Sequence, residues 1–115
     1  MSQRADQVGE ELRKIISMIL IQDLSDARLG FVTITRIAVT NDLRLARVYY
    51  SVLGDETQQK NSEKAIIENK GFIKRLAVER INMRYAMDIR FERDKSLDYS
   101  FQIDEILKKI KKEKQ

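Results

Sequence analysis

The chain of 115 residues contains no cysteine, no histidine and no proline. Without cysteine it can form no disulfide framework, no thiolate metal site and no cysteine nucleophile. Without histidine it also lacks the most common metal ligand and the usual proton carrier near neutral pH. We therefore expect no metal, no cofactor and no catalytic residue. A small hydrolase is the least favoured class of function.

Long apolar runs are missing as well. No stretch approaches the ~18 apolar residues that a membrane span needs, and residues 1–14 lack the apolar core of a secretory signal. We expect a protein of the cytoplasm that binds no membrane. Because proline is absent, the usual markers of helix ends are absent too, so element boundaries depend on other turn-forming residues.

The positive charge is unevenly distributed along the chain. Lysine and arginine number 22 against 18 acidic residues, a net charge of +4. Residues 60–95 carry ten basic and six acidic groups, and residues 108–115 carry five and one, whereas residues 1–59 carry seven and eight. A basic segment of this kind favours an anionic partner.

The first half of the chain predicts a helix followed by a hairpin. Residues 6–23 keep apolar side chains at helical spacing. Residues 31–53 are typical of a β-hairpin, because β-branched side chains dominate residues 31–40 and the residues after them suit a tight reversal. One face of the second strand is predicted to hold Ala46, Val48, Tyr50 and Val52.

The second half predicts a polar loop to residue 61 and helical runs over 62–68 and 72–84. Asn69, Lys70 and Gly71 lie between the runs and predict a break with a positive dihedral at Gly71. Residues 88–93 predict a third strand, and Ser100 begins a last helix. The order is helix, strand, strand, helix, kink, helix, strand and an appended C-terminal helix. This is an α+β fold with a three-stranded sheet packed against helices.

This order, with a glycine between paired helices, is the layout of the type II KH domain, which binds nucleic acid. Four segments in the same order resemble the ribosome-binding factor A family from about Arg4 to Leu107. They are LSDARLGFVTIT, NDLRLARVYYSVLGD, KGFIKRLA with INMR after it, and IRFERDKSLD. Each segment alone is a weak signal, but together they make a specific match.

The resemblance implies a single KH-like RNA-binding domain over residues 1–107 and a frayed or disordered basic tail over residues 108–115. It implies a monomer that binds free 30S subunits and their 16S rRNA and assists late maturation and processing by binding rather than catalysis. Family members typically support growth in the cold. Ribosomal proteins and a ribosome-associated GTPase are the further partners that it implies.

Three positions depart from the family pattern. Asn69 stands where the family has an alanine two residues before the kink glycine. Ala27 stands where the family often has proline, between the matching Asp26 and Arg28. Residues 86–87 replace a segment in which proline is common.

The candidate RNA-binding residues gather around the predicted break. They are Arg28, Asn69, Lys70, Gly71, Lys74, Arg75, Arg80 and Arg84. The alternative is a solvated helix flank in which Arg75 pairs with Glu79 across one turn. Phe72 is predicted to pack in the core rather than to stack on a base. Arginines of the hairpin, Arg36, Arg44 and Arg47, could extend the basic surface or be solvated only.

A second class of function stays open. The chain could be a protein–protein interaction module that uses the hairpin edge or the last helix and whose basic surface is incidental. Association that survives ribonuclease would favour this class, and salt-sensitive binding to small subunits would favour RNA binding.

Overall fold

The computed structural model describes residues 3–83 and 87–94. The first helix, α1, is Gln3–Met18, and it continues into one π-helical segment, Ile19–Asp23. The hairpin consists of β1, Phe31–Val39, and β2, Leu45–Leu53. A long helix, α2, Glu56–Ile81, then leads to β3, Asp88–Arg93. Within the described ranges, no helix is long and apolar enough to cross a membrane.

The three strands form one sheet in the order β1-β2-β3. β1 and β2 pair antiparallel, and β2 and β3 pair parallel, so α2 is the crossover that returns the chain along the sheet. A register shift in β1 falls at Thr35, between Ile34 and Arg36. This extra residue reverses the alternation of the strand, so Ile34 before it and Ile37 after it both face the helices.

The core lies between the sheet and the two helices, which cover one face. From β2 it receives Ala46, Val48, Tyr50 and Val52, all buried, which confirms the predicted face. α1 and the π-helical segment contribute Leu12, Ile16 and Ile19, and α2 contributes Ile66, Ile73 and Ala77. The opposite face of the sheet carries no helix of the described part of the chain.

The α+β class, the hairpin and the third strand over 88–93 are confirmed. The polar loop predicted to residue 61 is wrong, because α2 already begins at Glu56. Its start is a capping box: the Asp55 carboxylate accepts from the backbone N–H of Gln58 at 2.8 Å, and the Gln58 side chain accepts from the backbone N–H of Asp55 at 2.9 Å. The Asp-x-x-Gln spacing was the sequence signal for this start.

The predicted break at residues 69–71 is also wrong. α2 runs through these residues as one helix, and the only glycine of the described residues with positive φ is Gly54. Glycine and asparagine tolerate a break but do not require one. Ile66 before this stretch and Ile73 after it are both buried against the same core, which keeps the two runs in one helical register.

Several predictions fall outside the described residues. These are the position of Arg84, the first residue of the 86–87 segment, the helix predicted from Ser100, and the tail over residues 108–115.

We expect Gly71→Ala to stabilise the protein by about 1 kcal/mol, because glycine in a helix interior costs that much relative to alanine. The site has room, since a Cβ on Gly71 would meet no atom within 4 Å. The free energy of unfolding from urea titrations measures the effect. A lower value for Gly71→Ala than for wild type would contradict the continuous helix.

Gly54→Ala is the matched control. Gly54 has a φ of 140°, and a Cβ there would collide with the Gln58 side chain of the capping box. The same substitution should therefore destabilise the protein at this position.

Candidate nucleic-acid interface

An open groove lies between α2 and β3. It consists of two adjoining depressions of about 570 and 580 Å³ that share Gly71, Lys74 and Asp88 in their walls. One depression extends along α2 toward residue 79 and reaches Arg44 in the hairpin turn. The other extends back to Ile67 and along β3 to Phe91. The parallel pairing of β3 beside β2 places these separate parts of the chain together.

The groove is positively charged. Five cations and two carboxylates line it, namely Arg44, Lys70, Lys74, Arg75 and Arg90 against Glu79 and Asp88. Such an excess in a concave surface attracts anions.

The carboxylate of Asp88 contacts two of these cations. Lys74 Nζ donates to Asp88 Oδ1 at 3.2 Å, and Arg90 Nε lies 3.5 Å from Asp88 Oδ2. The hydrogen bond from Lys74 lowers the pKa of Asp88 below its ordinary value. Since both side chains of the Lys74–Asp88 pair are about half exposed, at 46% and 49%, the pair contributes little to the stability of the fold.

Three cations of the groove are unpaired. Within the part of the chain that the structure describes, Lys70, Arg75 and Arg44 form no ion pair. In particular, Arg75 does not pair with Glu79, although one helical turn separates them. The Arg75 guanidinium lies 5.8 Å from the centroid of the Phe72 ring, and Phe72 itself packs against the core as predicted.

The middle of the groove is open at Gly71. Gly71 is exposed, and a Cβ there would meet nothing within 4 Å, so the helix backbone is uncovered at this point. The apolar side chains of Ile67 and Phe91 lie beside it. The groove therefore offers an approachable backbone with cations around it and some apolar surface.

Arg28 and Asn69 lie outside the residues that line the groove, in a network that fastens the loop before β1 onto α2. The Arg28 guanidinium lies 2.7 Å from Asp26 Oδ2 and 2.7 Å from Glu68 Oε2. Asn69 Nδ2 donates to Asp26 Oδ2 at 3.0 Å and to the carbonyl oxygen of Ala65 at 2.7 Å. The hydrogen bond from Arg28 holds the pKa of Asp26 well below its usual range.

Arg80 is likewise held by an ion pair. Its Nη1 donates to Asp23 Oδ2 of the π-helical segment at 2.8 Å, which lowers the pKa of Asp23. Of the eight predicted residues, four therefore meet in the groove (Lys70, Gly71, Lys74 and Arg75), three are held in contacts elsewhere, and Arg84 lies outside the described residues.

Two groove cations come from the strands rather than from α2. Arg44 follows the hairpin reversal, and sequence reasoning raised it only as an extension of the surface. Arg90 was missed, because no local signal in residues 88–93 shows that β3 pairs beside α2. In residues 3–83 and 87–94, no group of acidic side chains is arranged to hold a metal ion.

Comparisons with known proteins agree on one family. The family model of ribosome-binding factor A matches residues 4–107. A ribosome-binding factor A of Geobacter sp. (strain M21) is 46% identical over 110 residues, which are 96% of this chain and 92% of the relative.

A crystal structure and a fitted homology model show the same fold. The crystal structure of ribosome-binding factor A from Thermus thermophilus has a TM-score of 0.65 at 19% identity and covers 77% of this chain and 94% of its own. A homology model of the factor from the same organism, fitted into the cryo-EM map of its complex with the 30S subunit, has a TM-score of 0.65 at 17% identity. It covers 80% of this chain and 97% of its own.

The network around Asp26 predicts a specific pH dependence. The folded-state pKa of Asp26 lies below the unfolded value of about 3.9, so its contribution is present above that pH and is lost as the pH falls through the folded pKa. Asp26→Asn should lower the free energy of unfolding at pH 7, and its difference from wild type should shrink at pH 3 and below.

Urea unfolding at both pH values measures this difference. Glu11→Gln is the control, because Glu11 is exposed on α1 and forms no ion pair among the described residues. A difference between Asp26→Asn and wild type that is the same at pH 7 and at low pH would mean that the charge of Asp26 does not stabilise the fold.

Proposed function

This chain belongs to the ribosome-binding factor A family, and we propose that it binds free 30S ribosomal subunits through their 16S rRNA. The groove between α2 and β3 is the binding surface. Binding assists the late maturation and processing of this RNA without catalysis. The family name and the fold shared with the factor in a 30S complex support the choice of the subunit.

The unpaired cations around Gly71 are the observation that carries the proposal. The side chains of Lys70, Arg75 and Arg44 form no ion pair within the described residues, and RNA offers phosphates at regular intervals. Glycine at position 71 costs the helix about 1 kcal/mol relative to alanine, and no internal contact requires it. A nucleic-acid backbone that approaches the helix closely would account for the missing side chain.

The proposed mechanism of RNA binding depends on the rigid placement of the cations in the groove. Its cations come from α2, from the hairpin turn and from β3, so their spacing is fixed by the packed core. A protein shifts an RNA equilibrium only by its differential affinity for the two conformers. In this mechanism the groove binds more tightly the RNA conformer whose phosphates fit this spacing. Each tenfold difference in affinity between the two conformers corresponds to about 1.4 kcal/mol of binding free energy.

The roles within the predicted site follow from the contacts. Lys70, Arg75, Arg44 and Arg90 bind phosphates, and Lys74 joins them because its exposed ion pair with Asp88 exchanges at little cost. Arg28, Asn69 and Arg80 position the segment before β1 on α2. The domain is proposed to act as a cytoplasmic monomer that supports growth in the cold. Ribosomal proteins and a ribosome-associated GTPase are its further contacts.

Cosedimentation tests the choice of partner. The purified protein should sediment with free small subunits, most with immature ones and much less with assembled ribosomes, and high salt should release it. Equal binding to all of these particles, or to none, would contradict the proposal. Association that survives complete ribonuclease digestion would instead favour a protein–protein module.

The double variant Lys70→Ala/Arg75→Ala tests the groove. Each neutralised phosphate contributes about 0.7 to 0.9 to the slope of log affinity against log salt, so loss of two should flatten the slope by roughly 1.4 to 1.8. Lys74 is left in place because it also holds Asp88. Binding to small subunits is measured between low and physiological salt.

Arg4→Ala/Lys14→Ala is the charge-matched control, since both residues are exposed on α1 and away from the groove. It should leave the slope near that of wild type. If both double variants flatten the slope equally, net charge alone governs binding and the groove has no special role.

A further inference from the structure

The face of the sheet that carries no helix of the described residues has a charged surface of its own. On β2 the buried side chains alternate with Arg47 and Tyr49, which therefore point to the other side. In register with them stand Arg36 on β1, opposite Tyr49, and Arg90 on β3, opposite Arg47. We call Arg36, Arg47, Tyr49 and Arg90 the sheet-face cluster. Glu92, beside Tyr49, is the carboxylate next to it.

Two of these arginines are neighbours of like charge. Arg47 and Arg90 are direct partners across the β2–β3 pair, an arrangement that destabilises a sheet unless something offsets it. Arg47 forms no ion pair in the described part of the chain, and Arg90 shares Asp88 with Lys74 at the longer distance of 3.5 Å. Within the described residues, the exposed contact between Arg90 and Asp88 is therefore the only ion pair that offsets this unfavourable arrangement.

The third arginine contacts an aromatic ring. The Arg36 guanidinium lies 3.9 Å from the centroid of the Tyr49 ring, a cation–π contact. Arg36 is exposed to solvent. Guanidinium planes and aromatic rings are the groups on which unstacked RNA bases stack. On the same face the ring of Phe31 is 79% exposed.

The cluster is continuous with the groove. Arg90 lines the groove on one side of β3 and stands beside Arg47 on the sheet face. Because β3 is an edge strand of the described sheet, positive charge runs from Lys70 around this edge to Arg47 with no other described element between them. A strand of RNA that leaves the groove would meet the cluster next.

We propose that the sheet-face cluster is a second RNA-binding surface that takes a single-stranded segment. Arg47 and Arg90 bind its phosphates, and the Arg36–Tyr49 pair stacks on one of its bases. The inference depends on the proposed function, since it extends the same RNA around the edge of β3. RNA fits because the surface combines exposed cations with planar groups, which is how single strands are held.

Amino-acid substitutions test the sheet-face cluster separately from the groove. Arg36→Ala/Arg47→Ala should weaken binding to small subunits about tenfold or more and flatten the salt slope, while Arg4→Ala/Lys14→Ala should not. Arg36→Lys retains the charge but not the plane, so it should keep the wild-type slope and still lose affinity. Circular dichroism melts establish that each variant is folded.

One result would overturn the sheet-face surface and leave the groove intact. In that result Arg36→Ala/Arg47→Ala keeps the wild-type affinity and salt slope, while Lys70→Ala/Arg75→Ala loses binding. Failure of the wild-type protein to bind small subunits would overturn the proposed function and this surface with it. The two failures are therefore distinguishable.

Crosslinking identifies the class of partner. A photoreactive benzoylphenylalanine at position 38, beside Arg47 on the same face, should crosslink to RNA of the bound small subunit and yield a product that ribonuclease shortens. The same group at position 7 on α1 is the control and should not. Crosslinking of position 38 to a ribosomal protein, or to nothing, would overturn the proposal.

Discussion

The parallel pairing of β3 with β2 is the constraint on which the groove and the sheet face both depend. Parallel neighbours need a crossover that returns the chain along the sheet, and α2 is that crossover. Its 26 residues span about 39 Å at 1.5 Å per residue, longer than the roughly 30 Å of a nine-residue strand. One helix is therefore long enough for the return, with no need for a second. Since Ile73 and Ala77 are buried, the flank with Lys70 and Lys74 faces the groove.

The polar contacts at the edges of the core fix α2 in place. The capping box at Asp55 begins the helix, and the buried Ser62 hydroxyl accepts from the backbone N–H of Gly30 at 2.9 Å. Farther along, the Asp26 network joins the loop before β1 to Glu68 and Asn69. Together these contacts set the position of the helix relative to the sheet, and with it the width of the groove.

The distribution of ion pairs distinguishes the basic residues that hold the fold together from those proposed to bind RNA. Arg28 and Arg80 each have a carboxylate within 2.8 Å, so their charge is largely neutralised inside the fold. Lys70, Arg75, Arg36 and Arg47 have none within the described residues. The unpaired cations lie on α2 and on the open sheet face, on either side of β3. A polyanion in contact with both sides would neutralise them together, which links the two proposed surfaces.

The sequence by itself determined the element types, because the period of the apolar residues differs between strands and helices. The hairpin, the buried face of β2, the third strand and the family followed from local pattern and motif order. Gly71 and Asn69 led to the wrong prediction of a helix break, because they show only that the local chain tolerates a break. The continuity of α2 is decided by the burial of Ile66 and Ile73 against the same sheet. Only the tertiary structure decided which charges stay free and which are neutralised within the fold. No local signal in the sequence distinguishes Arg28 from Lys70. Arg28 nevertheless pairs with Glu68, 40 residues away, whereas Lys70 forms no ion pair within the described residues. The partnership of Arg90 with Arg47, and its place beside α2, likewise depend on strand pairing between distant segments. Ion pairing and strand pairing over such separations leave no periodic trace in the chain, and for this reason the sequence predicted the basic segment but not the surfaces that it forms.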